Sequence, residues 1–214
     1  MKVLSHRGYW QDVAEKNMDV AFERSFSLGF GTETDIRDYM GQLVISHDIP
    51  NGEALSFKEM LRIYAEYNKH NNMPLALNIK SDGLQEKLMC TLQEFNIENY
   101  FVFDMSIPDT LGYLKNACKT FVRYSEFEDL NELYNFAHGV WLDGFNKDLV
   151  NEDFLKKILS DNKSVCIVSP DLHKRPNIDM WTKLKNMSSE IVSSEKIMIC
   201  TDVPEEAEEF FNGK

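Results

Sequence analysis

The stretch T-E-T-D-I-R at Thr32–Arg37 has the pattern of a short strand with polar side chains. Side chains alternate between the two faces of a strand, so Glu33 and Asp35 point to the same side. Two carboxylates on one face are hard oxygen ligands, which suit Mg²⁺ or Ca²⁺. Histidine stands on both flanking segments, as His6 in S-H-R-G and as His47 in S-H-D, twelve residues after Asp35. An imidazole exchanges a proton near neutral pH, so this combination indicates acid–base chemistry beside a cation.

Short apolar runs alternate with longer amphipathic segments along the whole chain, and they predict eight strand-then-helix units. This alternation favours a parallel sheet, and eight units favour a closed (β/α)₈ TIM barrel over an open doubly wound sheet. The glycine motifs of nucleotide-binding sheets are absent, and we expect one domain over residues 1–214. The predicted parallel strands are Lys2–Ser5, Thr32–Arg37, Leu75–Lys80, Tyr100–Phe103, Thr120–Tyr124, Gly139–Leu142, Ser164–Ser169 and Lys196–Cys200.

Local signals add detail between these strands. A return strand at Leu43–Ser46 follows a turn, and Ser56 with Glu59 has the spacing of a capping box at the start of a helix. Further helices are predicted at Leu130–Phe136 and at Ile178–Ile191.

The charge balance is strongly acidic, with a net charge of −12 over 214 residues. No broad basic face is expected, which argues against nucleic acid or an anionic membrane as a partner. The first residues have the pattern of neither a signal peptide nor a transmembrane span, so we expect a cytoplasmic protein without stable membrane insertion. The four cysteines show no metal-binding spacing, and Cys166 and Cys200 lie in apolar runs, which predicts buried, reduced thiols.

Polar residues follow the predicted strands where a TIM barrel places its chemistry, at the carboxyl ends. A barrel without chemistry would also have polar strand ends, because its loops are solvated. It would not be expected to collect two histidines, a lysine and at least four carboxylates there. The residues concerned are His6, Arg7, Glu33, Asp35, His47, Lys80, Asp104, Arg123, Asp143 and Asp202.

Several of these motifs resemble the glycerophosphodiester phosphodiesterases, a family of phospholipase-C-like phosphodiesterase barrels. S-H-R-G at Ser5–Gly8, E-T-D-I-R at Glu33–Arg37 and V-I-S-H-D at Val44–Asp48 occur in the order of that family. L-N-I-K at Leu77–Lys80 and C-T-D-V-P-E at Cys200–Glu205 are similar to its third and last strands, so the resemblance covers nearly the whole chain.

The resemblance implies a role for each matching position in a phosphodiester hydrolase of lipid metabolism. His6 and His47 would be the general acid–base pair. Arg7 would hold the phosphate, and Lys80 would add positive charge beside the phosphoryl oxygens. The divalent ion, Mg²⁺ or Ca²⁺, would be bound by Glu33 and Asp35 together with the residue at position 78.

The chain departs from the family pattern at three places. Asn78 stands where a third acidic ligand is usual, which predicts weaker metal binding, and Asp82 or Asp104 are the alternatives for that role. The family's P-E-N-T reads E-K-N-M here, with Lys16 in place of glutamate. The inserted subdomain that usually follows H-D is reduced to a short loop at Ile49–Leu55, which leaves the substrate alcohol open.

Further substrate contacts are expected after the later strands. Asp143 follows Trp141 in W-L-D-G-F, and His173 and Lys174 lie in a polar loop after strand seven, a common phosphate-binding region of TIM barrels. Trp141 either stacks on a substrate or packs in the core. His70 and His138 are expected at the surface.

Two other functions stay open beside hydrolysis of a small-molecule glycerophosphodiester. One is a phosphodiesterase that acts on a sugar- or nucleotide-linked diester in surface-polysaccharide metabolism, which the short Ile49–Leu55 loop motivates. The other is a non-catalytic phosphate-binding barrel, which Asn78 motivates, because loss of a metal ligand is one route to loss of activity.

Overall fold

The computed structural model describes residues 1–70 and 72–213. Within them the strands are β1 Lys2–His6, β2 Gly31–Tyr39, β3 Gln42–Ile45, β4 Leu75–Ile79, β5 Tyr100–Phe103, β6 Phe121–Ser125, β7 Gly139–Asp143, β8 Ser164–Val168 and β9 Ile197–Thr201. The α-helices are α1 Asp19–Ser27, α2 Phe57–Tyr67, α3 Gln85–Glu94, α4 Ile107–Lys115, α5 Glu152–Ser160, α6 Ile178–Lys185, α7 Ser189–Val192 and α8 Pro204–Asn212. Short 3₁₀ helices cover Val13–Glu15, Glu132–Asn135 and Pro170–His173.

These elements make the fold class a single (β/α)₈ TIM barrel, as the alternation of apolar runs predicts. The antiparallel strand β3 is additional to the eight parallel strands and pairs with β2, with Ile45 opposite Ile36. Residues 46–56 alone connect β3 to α2, which confirms that no subdomain is inserted there. In the described part of the chain, no helix is both long and apolar enough to cross a bilayer.

Two compact units divide the chain. Residues 5–120 form one, called here the N-terminal unit, and residues 1–4 with 121–214 form the other, called the C-terminal unit. The expectation of one domain over residues 1–214 stays a prediction.

The N-terminal unit is built on parallel strands β2, β4 and β5, with β4 in the middle. Its core collects the apolar faces of α1, α2 and α3 against these strands, with Phe22, Phe57, Met60 and Leu88 all fully buried. The predicted capping box begins α2: Ser56 Oγ accepts from Glu59 N, and Glu59 Oε2 accepts from Ser56 N. This packing fixes the carboxyl ends of β2 and β4 side by side.

The C-terminal unit contains the parallel series β6, β7, β8 and β9. Two helix predictions are wrong here. The segment Ile178–Ile191 is not continuous, because α6 ends at Lys185 and Ser188 is the N-cap of the short helix α7. Residues Leu130–Phe136 hold only one 3₁₀ helix, Glu132–Asn135, capped by an Asn131 side chain that accepts from Leu133 N.

Candidate active site

The predicted metal ligands lie on two neighbouring strands, with Glu33 and Asp35 on β2 and Asn78 on β4. Asp35 is the register partner of Asn78, and Glu33 lies two residues before Asp35 on the same face of β2. Asn78 Nδ2 donates to Glu33 Oε1 at 3.2 Å. The side chains of Glu33, Asp35 and Asn78 are all buried, so the three meet in one small polar cluster at the strand ends.

Three basic side chains, those of His6, Arg7 and Lys80, lie beside the carboxylates of this cluster. Arg7 Nε lies 2.9 Å from Asp35 Oδ2, and Lys80 Nζ lies 3.5 Å from Asp35 Oδ1. His6 Nε2 lies 3.9 Å from Glu33 Oε2. Lys80 also lies 3.4 Å from Asp104 Oδ2, so the lysine bridges two carboxylates. The site therefore combines buried negative charge with cations that remain partly exposed.

A tight loop after β1 holds Arg7 in place. Arg7 has a φ of 60°, and its backbone N donates to Glu33 O at 2.8 Å. Asn17 N donates to Arg7 O, while Asn17 Nδ2 donates to Asp35 Oδ2 at 2.9 Å. Gly8 has a φ of 79°, and a Cβ there would lie 2.7 Å from Ala21 Cβ, so the H-R-G motif requires glycine for both conformation and space.

His47 lies at the end of β3, where its side chain is 49% exposed. Its Nδ1 pairs with Asp48 Oδ1 at 2.9 Å, and its carbonyl accepts from Arg37 Nε. The imidazole lines a cavity of about 460 Å³ together with Arg7 and Asn17. The predicted acid–base partner is thus beside the phosphate-binding candidate, in an open cleft of the N-terminal unit.

The charge state of Glu33 differs from that of an ordinary surface acid. Burial, the largest cause, and the charge of Asp35 raise the pKa of Glu33 to about 7, against the opposite effects of His6, Arg7 and Asn78. Positive charge beyond that of His6 and Arg7 would therefore be required to keep Glu33 fully ionised at neutral pH.

Three oxygen atoms of the cluster accept no hydrogen bond from any described residue. They are Glu33 Oε2, Asp35 Oδ1 and Asn78 Oδ1. No three His, Cys, Asp or Glu side chains among residues 1–70 and 72–213 are placed to hold a metal ion. The third oxygen of this cluster belongs to the Asn78 amide. Two carboxylates and an amide oxygen are hard ligands, and this donor set fits Mg²⁺ or Ca²⁺.

The two acidic alternatives to Asn78 have other contacts. Asp82 accepts from Ser106 Oγ at 3.1 Å, beside the start of α4, and Asp104 contacts Lys80.

The substrate contacts predicted after the later strands belong to the C-terminal unit. Asp143 Oδ1 lies 2.7 Å from His173 Nε2, and Asp143 Oδ2 accepts from Arg123 Nη1 at 2.9 Å. The His173 ring packs at 4.7 Å against that of Phe145. Lys174 is exposed and ends the 3₁₀ helix in a left-handed conformation. The structure thus joins Asp143 to His173 directly.

The remaining side chains follow the expectations for packing. Trp141 is buried, which favours the packing alternative. His70 and His138 are exposed, and Cys166 and Cys200 are buried free thiols, as predicted.

Two functional candidates carry a contact that sequence reasoning did not assign. Asn17 binds Asp35 and also accepts from Thr34 Oγ1 at 2.9 Å, which fixes the direction of both side chains. In the sequence, the signal that could have identified Asn17 was its position in E-K-N-M, beside the loop that carries Arg7. Arg123 was visible only as a polar strand end, and it supplies the charge that pairs with Asp143.

The chain has a TIM-barrel fold that is similar to the fold of glycerophosphodiester phosphodiesterases. No family model matches the sequence, and no curated protein matches it. Among the similar solved structures, three glycerophosphodiester phosphodiesterases match over 99–100% of the chain.

A glycerophosphodiester phosphodiesterase from Agrobacterium tumefaciens has 13% identity and a TM-score of 0.70, with 100% of both chains covered. A putative one from Galdieria sulphuraria has 17% identity and a TM-score of 0.71, with 99% of this chain and 97% of that chain covered. One from Parabacteroides distasonis has 15% identity and a TM-score of 0.68, with 99% and 96% covered. At these identities the likeness shows the fold, which agrees with the resemblance of the motifs.

Proposed function

We propose that this protein is a phosphodiester hydrolase of the glycerophosphodiester phosphodiesterase type, which uses a divalent cation and the histidines His6 and His47. One observation carries the proposal: Arg7, Lys80 and His6 converge on the buried carboxylates of Glu33 and Asp35, beside an Asn78 oxygen that accepts no hydrogen bond from a described residue. A cluster that serves only stability would satisfy its buried oxygen atoms with hydrogen bonds.

The chemistry is limited by the negative charge of the diester and by a poor leaving alkoxide. Arg7 and Lys80 would attract the phosphoryl oxygens and stabilise the charge that develops on them. A Mg²⁺ or Ca²⁺ ion held by Glu33, Asp35 and Asn78 would supply Lewis-acid polarisation of a phosphoryl oxygen.

Proton transfer would fall to the two histidines. One imidazole takes the proton of the attacking hydroxyl as its oxygen bonds to phosphorus, and the other gives a proton to the alcohol oxygen as its P–O bond breaks. When the attacking hydroxyl belongs to the substrate, the product is a cyclic phosphate. Water then opens the ring with the histidine roles reversed.

Variants of the two histidines test this proposal. Hydrolysis of a glycerophospho-n-alkanol, which has a neighbouring hydroxyl and a poor leaving alkoxide, is measured with Mg²⁺, Mn²⁺ or Ca²⁺ and with a chelator. His6→Ala and His47→Ala should each lower kcat by about 10²–10⁴-fold while the far-ultraviolet circular dichroism stays unchanged. His70→Ala is the matched control, because His70 is exposed in the same unit and has no role in the site.

The proposal is refuted by near-wild-type rates in both histidine variants, or by rates that do not depend on a cation. Calorimetric binding of inorganic phosphate without turnover of any diester would favour the non-catalytic phosphate-binding alternative.

A further inference from the structure

We propose that the open cavity beside His47 binds an apolar alcohol group of the substrate, so that the enzyme prefers phosphodiesters with an alkyl substituent. This inference rests on the proposed function. The cavity, called the loop cleft below, has a volume of about 460 Å³ and lies within the N-terminal unit. Cavities of about 300–1,000 Å³ accommodate ligands larger than a phosphate group alone.

The loop cleft is lined by candidate reactive groups and by apolar side chains. Arg7 and His47 line it, and so do Val13 and Met18 from the loop after β1. The segment after β3 adds Ala54 and Leu55, among others, to the lining. A diester whose phosphate binds Arg7 would therefore place one of its ester groups among aliphatic side chains. The ester oxygen links the phosphate to its alcohol group. Binding of the phosphate at Arg7 would therefore direct that alcohol group into the cleft.

The loop that presents the apolar side chains is held in a fixed conformation. Val13 is 68% exposed and Met18 is 43% exposed. Glu15 Oε2 nevertheless accepts from Gln11 N within the loop and from Arg24 Nη1 of helix α1, which ties the loop to that helix. Single exposed apolar residues are common on protein surfaces. Val13 and Met18 differ from such single residues, because both line one cavity beside the candidate catalytic residue His47.

Charges at the cleft narrow the class of alcohol further. Asp48 and Glu53 also line the cleft, and both are exposed. They would repel a second negative charge on the alcohol. Lys16 lines the cleft as well, with its Nζ 4.3 Å from the centre of the Trp10 ring. With Arg7 the cleft thus holds two cations and two anions, which gives it no net charge. A neutral, apolar alcohol therefore fits the cleft better than a phosphorylated or carboxylated one.

A series of glycerophospho-n-alkanols with methyl, butyl and hexyl groups tests this inference. Each buried methylene should raise kcat/KM by about twofold to fourfold, so the hexyl ester should exceed the methyl ester by roughly 30-fold or more. Met18→Gln should reduce this ratio severalfold. Met40→Gln is the matched control, because Met40 is 88% exposed and lies outside the cleft, and it should leave the ratio unchanged.

Calorimetric binding of hexyl phosphate and methyl phosphate gives a second measurement that needs no turnover. A flat alkyl series in both experiments overturns the inference, as does a Met18→Gln ratio equal to that of Met40→Gln. Tighter binding of hexyl phosphate without cleavage of any diester would refute the proposed function and keep the cleft assignment.

Discussion

Replacing Asn78 by aspartate adds a third carboxylate to the cluster that we propose as the cation site. In the wild type, Asn78 Nδ2 donates to Glu33 Oε1 at 3.2 Å, and Asn78 Oδ1 accepts no hydrogen bond from a described residue. The substitution keeps the size of the side chain, but it converts the donor into an acceptor. Glu33 and the new carboxylate would then face each other in a buried position.

The structure sets the magnitude of the effect. Two unit charges separated by the 3.2 Å of the present contact would repel by about 5 kcal/mol at an effective dielectric constant of about 20. Because burial and Asp35 already raise the pKa of Glu33 to about 7, the carboxylate pair takes up a proton, which limits this cost. Loss of the amide hydrogen bond to a charged acceptor adds about 2 kcal/mol. Arg7 and Lys80, which already flank Asp35, offset part of this sum. We therefore expect Asn78→Asp to lower the free energy of unfolding by about 2–4 kcal/mol in the presence of a chelator.

A divalent cation should reverse this loss, because its binding stabilises the folded state. At a hundred times its Kd the gain is about 2.7 kcal/mol. Urea unfolding, followed by tryptophan fluorescence, is measured with chelator and with increasing Ca²⁺ or Mg²⁺. The variant should be less stable than the wild type with chelator, and it should respond at a lower cation concentration.

Asn78→Leu is the matched control for Asn78→Asp. It also removes the amide donor, but it adds no charge, so it should gain no response to cations. The reasoning is wrong if Asn78→Asp is as stable as the wild type with chelator. It is also wrong if the cation response of the variant is no stronger than that of the wild type.

Three further substitutions test the site and its support. Lys80→Met removes a cation 3.5 Å from Asp35 and should lower kcat by about 10²–10³-fold in the diesterase assay while the unfolding curve stays cooperative. Burial raises the pKa of Glu126, but donation from three backbone N–H groups lowers it to about 2 overall. The stability advantage of the wild type over Glu126→Gln should therefore be full at pH 7 and disappear as the pH falls from 4.5 towards 2 in urea titrations. Tyr64→Phe removes the buried bond from Tyr64 Oη to Met73 O and should lower the free energy of unfolding by about 1–2 kcal/mol, measured in urea.

The strands were predictable because each has a short apolar run that must be buried. Tyr100–Phe103 is a strand over the residues predicted for it. The capping box of Ser56 and Glu59 was equally clear, because both of its hydrogen bonds are local in sequence. The break between α6 and α7 was not predictable in this way, since the apolar spacing continues across it.

The site was predictable in its residue types, but only partly in its contacts. Glu33 and Asp35 share a face because a strand alternates its side chains, and this follows from spacing alone. The bond from Asn17 to Asp35 depends on a loop in which Asn17 itself has a φ of 62°. No periodicity encodes such a loop, so its contacts are visible only in three dimensions.

The charge balance of the cluster gives a physical reason for an amide at position 78. Glu33, Asp35 and Asp104 contribute three negative charges when ionised, and Arg7 and Lys80 contribute two positive ones. A divalent ion would then give the site a net charge of +1, which complements a phosphodiester whose negative charge grows in the transition state. A carboxylate at position 78 would bind the ion more tightly but would remove one unit of that charge. An amide at position 78 would therefore favour attraction of the phosphate over retention of the ion. We expect Asn78→Asp to raise the cation affinity and to lower the diesterase kcat, and these opposite shifts separate the two effects.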